Sequence, residues 1–121
     1  MRIIEQHECP GEEQALEAFH RILEKEGVTY LILRHGEGEE AKIREVLSVA
    51  DNVTGMGEYK VVLIKDKTFL NYQPIVDMFG PDRNKALFVR TRKKKEPRYS
   101  KPYSLEEIDT TEDMLEAFES I

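Results

Sequence analysis

A single cysteine, Cys9, stands among the 121 residues, which excludes an intramolecular disulfide and a thiolate metal cluster within one chain and fits a reducing compartment. Histidine is nearly as scarce, with His7, His20 and His35 alone. His7, Cys9 and His35 have the chemistry of metal ligands but no repeated spacing, so no metal site is expected. No apolar run approaches the roughly 18 residues that span a bilayer. The first eight residues, Met1 to Glu8, also lack the charged-then-apolar pattern of a signal peptide, so a cytoplasmic protein without a membrane partner is expected. Asn and Gln occur three times each while 35% of residues are charged, a balance common in heat-adapted proteins.

Positive charge is also thin over most of the chain. Between residues 83 and 101 nine Lys or Arg face one acid, Glu96, which gives this piece +8 and leaves -14 for the rest of a chain whose net charge is -6. An acidic protein does not coat itself in nucleic acid, but a local cationic patch can still hold a polyanion.

Apolar residues make up 40% of the chain and fall in separate clusters, enough for one folded domain over 1–121. Ile3-Ile4 marks a short first strand. A helix opens at Pro10, with Ala15, Leu16, Phe19, Ile22 and Leu23 on one face and Gly27 at its stop. Val28 to Leu33 reads as an interior strand, and Ile43, Val46, Leu47 and Ala50 mark a second amphipathic helix. Thr54-Gly55-Met56-Gly57 reads as a loop. Val61 to Ile64 cannot all face one side and predict the central strand. A short helix near Pro74 turns Ile75, Met78 and Phe79 inward, and Ala86 to Val89 form a fourth strand. Ser104-x-x-Glu107 has the form of a capping box, ahead of a terminal helix at about 104–121 lined by Met114, Leu115, Phe118 and Ile121. The alternation of elements predicts a small three-layer α/β/α domain with a four-stranded, mostly parallel sheet. The alternative is an α+β layout with an antiparallel edge strand.

The strongest functional signal is the basic arm at 90–103. Arg90, Arg92, Lys93, Lys94, Lys95, Arg98 and Lys101 are suited to phosphates, and Tyr99, with Tyr103 second, to stacking on unpaired bases. Pro97 and Pro102 should keep the arm extended. RNA is expected before duplex DNA because the arm mixes Tyr with its cations. A second reading gives the same arm to self-assembly or to a protein partner, against acidic surfaces such as Glu106, Glu107, Asp109, Glu112 and Asp113. A third places a small anion at the carboxyl edge of the strands, near His7, Arg34, His35 and Lys67, with Asp66 and, after the fourth strand, Arg92 on the same edge.

The string Arg34-His35-Gly36-Glu37 resembles the Arg-His-Gly-Glu signature of histidine phosphatases and phosphoglycerate mutases, in which the His takes the phosphoryl group and the Arg binds it. The likeness covers four residues. That family continues with Thr and, three residues further, Asn, where this chain has Gly38 and Ala41. It also requires a second His downstream, whereas His7 and His20 lie upstream. No catalytic residue and no cofactor are nominated.

Overall fold

A computed structural model describes residues 2–9, 27–53, 58–65, 77–80, 83–92 and 94–121, with the backbone alone for 2–9, 58 and 65. Its elements are β1 (Arg2–Cys9), β2 (Thr29–His35), α1 (Glu40–Asn52), β3 (Glu58–Lys65), β4 (Ala86–Arg92), β5 (Lys95–Tyr99), a 3-10 turn η1 (Leu105–Ile108) and α2 (Thr111–Glu119). The expected helix from Pro10, the loop 54–57, most of the short helix near Pro74 and Lys93 lie outside the described residues.

The strands form one sheet in the order β1-β3-β2-β4-β5. β1 and β2 both run parallel to β3, while β4 runs antiparallel to β2 and β5 antiparallel to β4. The class is therefore mixed α/β, and the mostly parallel sheet is corrected. The cause lies in Ala86 to Val89, all four of which are buried. Strand faces buried on both sides look alike in sequence whichever way the strand runs. β2 takes the middle of the sheet, a place expected for β3.

Alternation along the strands divides the core in two. Leu31, Leu33, Tyr59, Val61, Leu63, Ala86 and Phe88 face α1, η1 and α2, from which Ile43, Val46, Leu105, Ile108, Met114 and Phe118 pack against them. Tyr30, Ile32, Val62, Ile64, Leu87 and Val89 face the other way, onto Phe79. Each Val, Leu, Ile, Phe or Met among them, fully buried, contributes about 1.5–3 kcal/mol relative to exposure. Tyr59 is fully buried, and its hydroxyl has no hydrogen-bond partner among the described residues. Burial, and then the Asp51 carboxylate, raise its pKa, so the phenol stays protonated.

Several local signals shape these elements. Gly27 has a φ of +63°, a left-handed value that favours glycine, and its N–H donates to Thr91 O at 3.1 Å as the chain enters β2. The terminal helix is corrected to two pieces, η1 and α2, because Asp109 and Thr110 interrupt it. Ser104 and Glu107 do form the reciprocal cap on η1, and Thr110 Oγ1 accepts from Asp113 N to cap α2. Lys42 of α1 reaches Asp109 Oδ2 at 3.2 Å, tying α1 to the corner between η1 and α2.

Candidate functional site

The described part of the basic stretch is docked on the sheet. β4 ends at Arg92 and the chain returns antiparallel as β5 from Lys95, so β4 and β5 make a hairpin at the margin of the sheet. Two hydrogen bonds close its base: Ser100 N donates to Phe88 O at 2.9 Å, and Phe88 N donates to Ser100 Oγ at 2.9 Å. The chain then rejoins β4 through a bridge between Ala86 and Tyr103. Lys94, in the turn, has a φ of +53°, a conformation that costs a side-chain-bearing residue about 1 kcal/mol.

Register decides which cations meet. Arg90 lies opposite Arg98, Arg92 opposite Lys95, and Val89 opposite Tyr99. Residues directly opposite in an antiparallel pair share a face. Arg90 belongs with Phe88 on the α2 side and holds its guanidinium 5.5 Å from the Phe118 ring centre, while its Nε donates to Thr29 Oγ1 at 3.2 Å. Arg90, Arg92, Lys95 and Arg98 thus stand together on the helix-covered face, two rungs of paired positive charge. Tyr99 follows Val89 onto the opposite face, where its side chain is 42% exposed.

Pairing shifts by one residue between those rungs, so Glu96 and Pro97 together oppose Thr91 in a bulge. Proline is tolerated there because the bulge and the open edge ask for no donor. Arg92 Nε donates to the Glu96 carbonyl at 2.8 Å, which steadies the bend. Among the described residues no carboxylate lies within ion-pairing distance of Arg90, Arg92, Lys94, Lys95, Arg98 or Lys101.

Two members of the expected arm go elsewhere. Tyr103 is buried in the helix-side core, which corrects its expected place in stacking. Lys101 lies over the Tyr103 ring, 5.1 Å from its centre, beside a groove of about 330 Å³ lined also by Glu107, Asp113 and Glu116. It faces the acidic end of the molecule rather than the hairpin turn.

The carboxyl edge of β1, β2 and β3 is assembled differently from expectation. Since β4 is antiparallel, Arg92 sits at the far end of the sheet and Lys85 arrives in its place. His7 lies within β1, in register with Val62, two positions short of the edge that Arg34 and His35 reach beside Ile64 and Lys65. Arg34 and His35, adjacent in a strand, point to opposite faces. Arg34 is 3% exposed, donates through Nε to Asn84 O at 2.8 Å and stacks 5.6 Å from the Phe79 ring centre. Glu39 accepts from Gly36 N at 2.8 Å and pairs with Lys85 Nζ at 3.3 Å, which fills the entrance to α1 with the protein's own groups. Asp66 and Lys67 lie outside the described residues.

Comparison with protein-family models, with curated proteins and with solved structures finds no match. Among the described residues no group of His, Cys, Asp or Glu could hold a metal ion, and no helix is long and apolar enough to cross a membrane.

The register of β5 is the feature hidden from the sequence. A run of Lys and Arg announces charge but not which charges share a face; the signal that could have found it was Pro97 beside Glu96, a proline placed where an edge strand bulges.

Proposed function

We propose that the chain is a non-catalytic module that binds a polyanion, RNA before duplex DNA, through the β4–β5 hairpin. The observation that carries this reading is the convergence of Arg90, Arg92, Lys95 and Arg98 on one face with no carboxylate of the described residues near enough to neutralise them. Held side by side, like charges repel, and a chain of phosphates replaces that repulsion with attraction while releasing its own counterions. The phosphates supply the affinity and Tyr99 offers a surface for a base.

The test is a titration of labelled single-stranded RNA at several salt concentrations, followed by anisotropy. Replacing Arg92, Lys95 and Arg98 with Gln should weaken binding alike for different base sequences. It should also flatten the slope of log affinity against log salt by about 2, since each phosphate contact on a single strand contributes about 0.7. Unchanged affinity and slope in that variant would sink the reading.

A second reading, assembly through the same hairpin against an acidic surface, draws on Glu106, Glu107, Glu112 and Asp113, all exposed on η1 and α2. The hairpin is less suited to joining another sheet edge to edge, because Lys95, Glu96, Pro97 and Arg98 give its outer strand the charge, proline and bulge that oppose strand addition. A small-anion reading at the carboxyl edge has less support, given the structural engagement of Arg34 and Glu39 described above.

A further inference from the structure

The hairpin separates what a nucleic acid would need. Its phosphate-seeking side chains, Arg90, Arg92, Lys95 and Arg98, are on the α2 face, and its exposed aromatic, Tyr99, is on the other. β5 is the last strand of the sheet, so among the described residues nothing pairs with its outer edge. Burial first and the Glu96 carboxylate second raise the pKa of the Tyr99 phenol, so the ring stays uncharged.

We infer that the ligand of this hairpin is a single-stranded nucleic acid that passes over the free edge of β5, with phosphates on the arginine and lysine face and a base stacked on Tyr99 on the other. This rests on the polyanion reading above and narrows it. Stacked sheets lie about 10 Å apart face to face, so one sheet with the side chains of both its faces is about that thick. That is a crossing of about three nucleotides at the ~3.4 Å per nucleotide of a stacked strand. A duplex, stiff over about 150 base pairs, cannot bend around one strand and can reach only one of the two faces. A base-free polyanion can use the cations but has nothing for the tyrosine. Tyr99 is therefore the residue that distinguishes a single-stranded nucleic acid from other polyanions.

The experiment compares wild type, Tyr99→Ala and Tyr99→Phe against labelled oligouridylate, oligothymidylate and duplex RNA, with inorganic polyphosphate as a competitor of comparable charge. Loss of one stacked base is worth about 1–3 kcal/mol, so Y99A should bind oligouridylate and oligothymidylate roughly 5- to 160-fold more weakly. Y99F should match wild type, and all three proteins should bind duplex and polyphosphate alike. If Y99A leaves single-strand affinity unchanged, or weakens polyphosphate as much as oligouridylate, the edge-crossing ligand is refuted while polyanion binding stands. If wild type binds none of the four probes, both the inference and the reading beneath it fail.

Discussion

At Ser104 two reciprocal hydrogen bonds do what sequence pattern promises. Ser104 N donates to Glu107 Oε1 at 2.9 Å and Glu107 N donates to Ser104 Oγ at 3.3 Å, so each residue satisfies the other's backbone at the start of η1. The turn so fixed drives Leu105 and Ile108 into the core. Hydrogen bonds from Ser104, its backbone N–H first and its hydroxyl second, hold the Glu107 carboxyl below its ordinary range, with Lys101 and Arg83 adding weaker attraction. A carboxyl whose folded pKa is depressed contributes its stability above the unfolded pKa and loses it as pH falls through the folded value. Ser104→Ala should therefore cost about 1 kcal/mol at neutral pH. The difference from wild type should narrow as the medium is acidified below about pH 4.3, where the unfolded carboxyl takes its proton. Urea unfolding of both proteins across that range measures it, and a constant difference would show that the Ser104 hydroxyl adds nothing to the stabilisation of the carboxylate.

On the scale of elements, the hairpin is held against its own electrostatics. Two like-charge rungs, Arg90 opposite Arg98 and Arg92 opposite Lys95, each oppose pairing by about 0.2–1 kcal/mol, and the left-handed backbone of Lys94 adds about 1 kcal/mol. Against this work the Ser100 bonds to Phe88, the Val89–Tyr99 pair and the bridge at Tyr103. The hairpin should therefore open more readily than β2 and β3, and salt should close it by screening the rungs. Hydrogen exchange of the β5 amides tests this: protection should rise with salt in wild type and rise less in Arg98→Glu, where one rung becomes attractive. Lys94→Gly should raise protection at every salt concentration, and equal salt responses in wild type and R98E would remove the rungs as the cause. Beyond the hint of Pro97 beside Glu96, the rungs were not legible in the string Arg90 to Tyr99. The buried runs of β2 and β3, the stripe Ile43, Val46, Ala50 of α1 and the Ser104 cap could be read because each is written in local periodicity or spacing. Strand direction and register depend on distant partners, Thr29 to Leu33 for β4 and β4 itself for β5, and Tyr99 and Tyr103 look equivalent until register sends one outward and the other into the core.

For the molecule as a whole, the contest is between a polyanion and a second copy of the chain, and magnitudes separate them. The hairpin's charges act over a Debye length of about 8 Å at physiological salt, so they form a local site on a protein whose net charge is -6. Exposed ion pairs are each worth about 0–1 kcal/mol, and association costs roughly 4–15 kcal/mol in lost freedom of motion. Four such pairs between the hairpin of one copy and Glu106, Glu107, Glu112 and Asp113 of another do not cover that cost by themselves. A stable interface also needs about 1,600 Å² of well-packed surface, and Tyr99 is the one large hydrophobic side chain exposed among the described residues. A polyanion meets the same cations on better terms, since its condensed counterions return to solution. The chain should accordingly run as a monomer in sizing chromatography from low to high salt, and shift to earlier elution only when single-stranded nucleic acid is added. Oligomers that form without nucleic acid and dissolve as salt rises would reverse this ordering and assign the hairpin to self-assembly.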